Sequence, residues 1–143
     1  MAKVLYTAAA HVTGGRDGHG HTKDNQLDVD LRLPTEMGGA GGGTNPEELF
    51  AVGYAACFES ALMNVARRKH LEVTAVAIDS KVTLSPNGGG VFVLGVVLDV
   101  SIASVTDRDV AAQIIKDAHE VCPYSNAVRG NVDVELLLGG QPL

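Results

Sequence analysis

Short stretches of the chain alternate apolar and polar residues in the manner of β-strands. The segments 4–13 (VLYTAAAHVT) and 26–33 (QLDVDLRL) are predicted strands, and the second alternates as a strand with one buried face does. Gly14 and Gly15 end the first segment and Pro34 ends the second. The glycine-rich residues between the two segments are predicted to form a loop.

A longer apolar segment, residues 44–63 (TNPEELFAVGYAACFESALM), begins like an α-helix and is expected to continue to about His70. Its first half is apolar on nearly every face, which predicts a helix buried on all sides. Gly53 inside it indicates a bend or a close helix crossing. The start signals are a capping residue, a proline at the first helical position and two acids in the positive first turn: Asn45, Pro46, Glu47 and Glu48.

The second half of the chain contains three more predicted strands. Residues 72–84 and 91–105 are β-rich and flank a turn at 85–90, and residues 131–138 form the last strand. The predicted order is β-β-α-β-β-α-β, with hairpins rather than βαβ crossovers. This order indicates an α+β fold, and the length of 143 residues indicates a single domain over 1–143.

A second helix is predicted before the last strand. Thr106 is its expected cap, with Asp109 in the capping-box position. Pro123, directly after Cys122, is expected to end or restart this helix. Its apolar face recurs at helical spacing: Val110, Ile114, Ala118 and Val121.

Composition narrows the function classes. Eleven basic against seventeen acidic residues give a net charge of −6, which argues against a nucleic-acid partner because such binding needs clustered Lys and Arg. The first residues lack a signal-peptide pattern, and no apolar run is expected to reach the roughly 18 residues that span a bilayer. We therefore expect a cytoplasmic protein without a membrane partner. In the cytoplasm, a cysteine pair is more often catalytic or metal-binding than a permanent disulfide.

Cys57 lies in the middle of the long apolar helix and is the first candidate for chemistry. A buried cysteine is commonly only a small hydrophobe, whereas a reactive one needs positive charge near its thiolate. Arg16, in a glycine-rich loop, is a candidate charge, and the first-turn glutamates are candidate anions to fix it. Glu47 precedes Cys57 by ten residues, about 15 Å along a straight helix. A bend at Gly53, a bridging arginine or a neighbouring chain would each bring them together.

Three stretches, in the expected order, resemble the organic hydroperoxide resistance (Ohr) family of OsmC-like proteins: LYTAAAHVTGGRDG, GTNPEELFAVGYAACF and VCPYSNAVRGNVDVEL. The resemblance implies an OsmC/Ohr-like α+β fold, with antiparallel sheets packed around two central helices in an interlocked homodimer. It also implies a thiol-dependent peroxidase that reduces alkyl and fatty acid hydroperoxides. No metal or organic cofactor is expected.

The same resemblance assigns roles by position. Cys57 is similar to the peroxidatic cysteine and Cys122 to the resolving cysteine, so a Cys57–Cys122 disulfide is implied. Arg16 matches the arginine that activates the thiolate, and Glu47 matches the glutamate that holds this arginine. The implied reductant is a lipoylated protein. An apolar pocket built around three residues of the helix and their neighbours would suit such hydroperoxide substrates, although such residues more often belong only to the core: Phe50, Phe58 and Met63.

Two alternative functions remain open on the sequence. The first is a metal site that gathers His119 with Cys122 on one helix and His19 with His21 in the loop, although no pair has zinc-finger spacing. The second is a non-enzymatic OsmC-like stress or binding protein whose cysteines are inert. Loss of peroxide turnover on replacing Cys57 would separate this protein from the peroxidase.

Overall fold

The computed structural model describes residues 2–143, which contain three α-helices and two β-sheets. The contacts divide the chain into a first unit that ends at Leu49 and a second unit, Phe50–Leu143. This boundary falls inside the long helix, and each unit has its own sheet. The single domain expected from the length stays a prediction.

The first unit contains a small antiparallel sheet of three strands: β1 (Ala10–Thr13), β2 (His19–Thr22) and β3 (Asp28–Asp30). A 3-10 turn at Gly15–Asp17 joins β1 to β2. Val12 pairs with Gly20, and Gly20 pairs with Val29, so this row of residues shares one face of the sheet. The sheet therefore presents the turn that carries Arg16.

The strands of this unit differ from their predicted bounds. The first begins at Ala10 rather than at residue 4, because a strand needs a partner for its backbone and the pairing with β2 ends at Thr22. The second shortens to Asp28–Asp30. The predicted loop contains β2, whose pairing with strands on both sides outweighs the low strand propensity of glycine.

The long helix, α1, spans Pro46–Arg68, two residues short of its predicted end. Asn45 is confirmed as its cap, since the Glu48 backbone N–H donates to Asn45 Oδ1 at 2.9 Å. The prediction of burial on all sides is wrong, because Val52 is 71% exposed. The helix instead buries one side, formed by Tyr54, Phe58, Ala61, Leu62, Val65 and Ala66.

The composition of α1 corrects a further expectation. An 18-residue window of this helix has a mean hydropathy of 1.4, so by length and composition alone it is apolar enough to cross a membrane. Core helices of soluble proteins can pass the same test of length and hydropathy, and 33% of this window is buried inside the protein.

Gly53 marks a close approach between α1 and the side chain of Tyr124. A Cβ at this position would lie only 3.0 Å from the Tyr124 hydroxyl.

The second unit has a four-stranded sheet in the order β4-β5-β6-β7, formed by Val76–Pro86, Phe92–Ile102, Asp133–Leu138 and Gln141–Pro142. The predicted hairpin between the first two strands is present. The prediction that all connections are hairpins is wrong, because β5 and β6 are parallel. Parallel neighbours need a crossover, and the helical segment between these strands supplies it.

The helix α2 spans Arg108–Val121. Its cap is Asp107 and not Thr106, since the Asp107 carboxylate accepts from the N–H groups of Asp109 and Val110 at 3.0 and 3.3 Å. Asp109 therefore lies at the second helical position, too early for a capping box. Asp107 rather than Thr106 is the cap because its carboxylate lies close enough to accept hydrogen bonds from both of these N–H groups.

Pro123 restarts the helix as α3 (Pro123–Val128), and Cys122 lies between the two helices. Val121 of the predicted apolar face is 45% exposed, so the face ends one turn earlier than expected. The buried side of α2 consists of Ala111, Ile114, Ile115 and Ala118.

The core of the second unit is one cluster of apolar side chains from α1, the two short helices and the sheet. Alternate residues of β5 are buried in it: Val96, Leu98, Val100 and Ile102. Cys122 belongs to this cluster as a fully buried member, and Cys57 packs against its edge. The core therefore contains Cys122 and lies against one side of Cys57.

Candidate active site

The two cysteines lie next to each other in the second unit. Cys57 comes one turn after Tyr54 on α1, and Cys122 lies between the end of α2 and the start of α3. Their Sγ atoms are 3.7 Å apart, and both are free thiols. Because a disulfide bond is about 2.05 Å long, the sulfur atoms need to approach by only about 1.7 Å to form one. Cys57 is half-buried, whereas Cys122 is fully buried.

The surroundings of Cys57 act on its thiol in opposite directions. Burial is the largest effect and raises the pKa of Cys57, and the adjacent Cys122 thiol raises it further. A hydrogen bond from the Tyr124 backbone N–H stabilises the thiolate and lowers the same pKa. The net shift is upward. The lowering of this pKa by Arg16, implied by the family resemblance, stays a prediction.

A cleft of about 310 Å³ opens beside Cys57. The three apolar residues predicted for a substrate pocket do not line it. Phe58 is fully buried, and Phe50 and Met63 pack against the core. The cleft is lined by Cys57, Ser60, Ala61, Asn64, Arg68, Val121 and Pro123, a mixture of polar and apolar groups.

Arg16 and Glu47 form a bidentate ion pair within the first unit. Arg16 Nη1 donates to Glu47 Oε2 at 2.7 Å, and Nη2 donates to Oε1 at 2.6 Å. The turn that presents Arg16 needs the left-handed backbone of Gly14 and Gly15, with φ of 76° and 58°. Glu47 is held in the first turn of α1, where the helix dipole favours its charge.

The ion pair fixes the charge of both partners. The hydrogen bonds from Arg16 hold the pKa of Glu47 below its ordinary value, and the same bonds raise the pKa of Arg16. The Glu47 side chain is 16% exposed and that of Arg16 is 36% exposed, so the guanidinium keeps one open side. The pair is neutral as a whole, but the open side of the Arg16 guanidinium can still donate hydrogen bonds to an incoming group.

A second group of polar side chains is buried close to the cysteines. Ser125 Oγ lies 2.7 Å from the Tyr54 hydroxyl and 2.8 Å from His119 Nδ1. Ser125 and Tyr54 are fully buried. The pKa of His119 is lowered, mainly because burial removes water from the imidazole and further because Arg129 carries a positive charge. We name these three residues, Tyr54, Ser125 and His119, the Ser125 network.

The histidines of the metal-site alternative have other contacts. His19 Nε2 lies 2.5 Å from Asp28 Oδ1, and the rings of His19 and His21 have centroids 5.9 Å apart. His119 contacts Ser125, as described above. Within residues 2–143, no group of three or more His, Cys, Asp or Glu side chains is arranged to hold a metal ion.

Comparison with known proteins gives the family. The family model described as OsmC-like protein matches residues 39–137. An organic hydroperoxide resistance protein of Xanthomonas axonopodis pv. citri is 50% identical over 95% of this chain and 96% of its own length. The chain belongs to the OsmC/Ohr family. OhrB, an organic hydroperoxide resistance protein of Bacillus subtilis, is 44% identical over 94% of this chain and 98% of its own length.

Solved structures agree with this family and with its α+β fold. The crystal structure of an organic hydroperoxide resistance protein from Legionella pneumophila superimposes with a TM-score of 0.91 at 49% identity. It covers 95% of this OsmC/Ohr chain and 98% of its own. The crystal structure of Bacillus subtilis OhrB gives a TM-score of 0.86 at 44% identity, covering 94% of this chain and 99% of its own.

The predicted site residues of this OsmC/Ohr protein form two pairs. The structure brings Cys57 and Cys122 together in the second unit, and Arg16 and Glu47 together in the first. The joint action of the two pairs, and the role of each residue, stay predictions.

Sequence reasoning missed the Ser125 network and the Tyr124 backbone donor. A signal was present in the spacing: Tyr54 precedes Cys57 by three residues, and His119 precedes Cys122 by three. Ser125 follows Cys122 by three residues. Polar side chains one helical turn from a cysteine lie on its side of the helix. This spacing identifies candidates, but only the packing of three helices shows that they meet.

Proposed function

We propose that this protein is a thiol-dependent peroxidase that reduces organic hydroperoxides to alcohols. The observation that carries the proposal is the 3.7 Å separation between a half-buried thiol at a cleft and a fully buried one. The first thiol is accessible to a substrate, and the second is accessible to the first. The names of relatives at 50% and 44% identity support organic hydroperoxides as the substrate class.

The first step is attack of the Cys57 thiolate on the terminal oxygen of the hydroperoxide. An S–O bond forms, the O–O bond breaks, and the alkoxide takes a proton and leaves as an alcohol. The thiol is oxidised to a sulfenic acid by two electrons. The Tyr124 N–H supports the thiolate that this step consumes.

The second step joins the two sulfur atoms. The Cys122 thiol loses its proton and attacks the sulfenic sulfur, and the hydroxyl leaves as water. A dithiol then reduces the Cys57–Cys122 disulfide by exchange, and we propose a lipoylated protein as its source. This chemistry requires neither a metal nor a bound organic cofactor.

The proposed role of Arg16 is to stabilise the Cys57 thiolate and the charge that develops on the peroxide oxygens, while Glu47 holds the guanidinium in place. Arg16→Gln is expected to lower kcat/KM for cumene hydroperoxide about 100-fold, the loss typical of a removed charge-stabilising donor. Glu47→Gln should have a smaller effect in the same direction. Arg67→Gln, on the exposed side of α1, is the matched control and should retain full activity.

The same variants predict a pH effect on stability. Because the pKa of folded Glu47 is lowered, its ion pair stabilises the protein above the ordinary value of 4.5 and this contribution is lost as pH falls through the folded pKa. Glu47→Gln should therefore remove part of the acid dependence of the free energy of unfolding. An unchanged acid dependence, with unchanged kcat/KM in Arg16→Gln, would contradict the proposed roles.

The proposed setting is a homodimer in the cytoplasm, as the family resemblance implies. The alternative is an OsmC-like stress or binding protein with inert thiols. The raised pKa of Cys57 is the observation that favours this alternative, because a protonated thiol is a poor nucleophile.

The deciding experiment measures turnover by the reduced wild-type protein. Cumene hydroperoxide and hydrogen peroxide are compared as substrates, and dihydrolipoamide and reduced thioredoxin as reductants. We expect turnover of cumene hydroperoxide with dihydrolipoamide, and much slower turnover of hydrogen peroxide. Absence of turnover with both reductants, in protein whose two thiols titrate as free, would favour the inert alternative.

A further inference from the structure

The residues of the Ser125 network lie one helical turn from the cysteines along the chain. Tyr54 lies on α1, one turn before Cys57. His119 lies in the last turn of α2 and Ser125 in the first turn of α3, three residues to either side of Cys122. One buried hydroxyl, Ser125 Oγ, therefore links the three helices that hold the two sulfur atoms.

Only one arrangement of hydrogen bonds in the network gives each of the two hydroxyl protons an acceptor. The Tyr54 hydroxyl donates to Ser125 Oγ, and Ser125 donates to an unprotonated His119 Nδ1. Burial of the imidazole, which lowers the pKa of His119, favours this neutral form. Because Tyr54 and Ser125 are fully buried, an unpaired hydroxyl in this group cannot turn to water instead.

We propose that the Ser125 network is a positioning device for the disulfide-forming step, in which it holds Cys122 Sγ in line with Cys57. The inference rests on the proposed peroxidase function and adds three positioning residues to it. The network makes no hydrogen bond to either sulfur among the described contacts, so it acts through the ends of α2 and α3.

The two chemical steps depend on the network to different degrees. Attack on the peroxide needs only Cys57 and the cleft. Disulfide formation also needs Cys122 within bonding reach, and its rate depends on how narrowly the two sulfur atoms are held. Loosening the ends of α2 and α3 should therefore slow the second step while the first continues, so the sulfenic acid would live longer and oxidise further.

Protonation of His119 disturbs the same geometry. An imidazolium carries a proton on Nδ1 and cannot accept from Ser125, so Ser125 must turn its proton to Tyr54, whose own proton then loses its partner. The charged groups that act on His119 are Arg129, which lowers its pKa, and Glu120, which raises it. Because the pKa of folded His119 is lowered, the imidazole stays neutral at the ordinary histidine value of 6.5. The additional slowing of the disulfide step that this protonation causes should therefore appear only at lower pH, as pH falls through the lowered pKa.

The test follows both steps in a single turnover. Reduced full-length protein is mixed with one equivalent of cumene hydroperoxide, quenched, and analysed by mass spectrometry for thiol, sulfenic acid, sulfinic acid and disulfide. Ser125→Ala is expected to slow disulfide formation about tenfold, the effect of leaving buried partners unpaired, with peroxide consumption within about twofold of wild type. Tyr54→Phe should act in the same direction more weakly.

His119→Asn provides a sharper readout, because Asn Oδ1 can accept from Ser125 as Nδ1 does but does not titrate. This variant should form the disulfide within about twofold of the wild-type rate at pH 8. At acidic pH it should keep the slowing that loss of the thiolate causes in both proteins, and lose only the additional slowing that protonation of His119 causes in wild type. Tyr6→Phe and Ser101→Ala, which alter exposed hydroxyls, are the matched controls.

The outcomes separate this inference from the proposed function. If wild type consumes no peroxide, the proposed function fails. If wild type forms the disulfide and both Tyr54→Phe and Ser125→Ala form it equally fast, the network is only structural and this inference fails. Should Ser125→Ala not fold, Tyr54→Phe and His119→Asn decide: wild-type rates and the wild-type pH profile in both would overturn the proposal.

Discussion

Replacing Cys57 by serine is expected to lower hydroperoxide turnover by at least about 1,000-fold, because a serine hydroxyl at neutral pH supplies almost no anionic nucleophile. The change removes the thiol that lines the cleft. It replaces one small side chain by another at a half-buried position, so the fold should persist. The measurement is the rate of cumene hydroperoxide loss with excess dihydrolipoamide.

The matched comparison for this result is Cys122→Ser, which keeps Cys57 and should still consume peroxide once. Equal turnover by wild type and Cys57→Ser would show that this thiol does not react with the peroxide. Circular dichroism and thermal melting of the variant exclude loss of structure as the cause of a lost activity.

Cys122→Ser is expected to reduce one equivalent of hydroperoxide rapidly, to consume a second equivalent more slowly when hydroperoxide is in excess, and then to stop. Without the second thiol, the Cys57 sulfenic acid cannot close a disulfide, and further peroxide converts it to sulfinic acid. Mass spectrometry of the protein after one and after ten equivalents of cumene hydroperoxide should show this sequence. Continued turnover with dihydrolipoamide at the wild-type rate would mean that the reductant reaches Cys57 directly and that Cys122 does not resolve it.

The burial of Cys122 calls for a second variant in this experiment. Placing the more polar serine hydroxyl at this fully buried position is expected to lower the stability of the protein by about 1–3 kcal/mol. Cys122→Ala removes the thiol and leaves only a small cavity. Both variants should show the same single turnover, which separates loss of the thiol from loss of stability.

Local signals in the sequence predicted the elements that depend on local interactions. The start of α1 followed from Asn45 and Pro46, since capping involves only neighbouring residues. The cap of α2 was misassigned by one residue, because the side chains of Thr106 and Asp107 can both cap a helix and only the backbone geometry shows which of them reaches the free N–H groups. The parallel pairing of β5 with β6 was missed because it joins strands separated by two helices, and no local pattern specifies that pairing.

In the candidate site, too, sequence motifs predicted some features, whereas others depended on long-range packing. Family motifs identified Cys57, Cys122, Arg16 and Glu47, and the structure then gave the distances within each pair. Burial on every side of α1 was overestimated, because composition shows which residues are apolar but not which side has a partner. Val52 is the clearest case. The Ser125 network was missed because its three members come from three different helices.

The position of Cys122 between two helices has a mechanical consequence. Its N–H donates to the Ala118 carbonyl at 2.9 Å, and its own carbonyl accepts from the Asn126 N–H at 2.9 Å. The backbone is therefore tied to the helix before it and to the helix after it. In the proposed cycle, the approach of about 1.7 Å between the two sulfur atoms would therefore start from a Cys122 backbone that is already fixed at both ends, which leaves the side-chain torsions as its softest degrees of freedom.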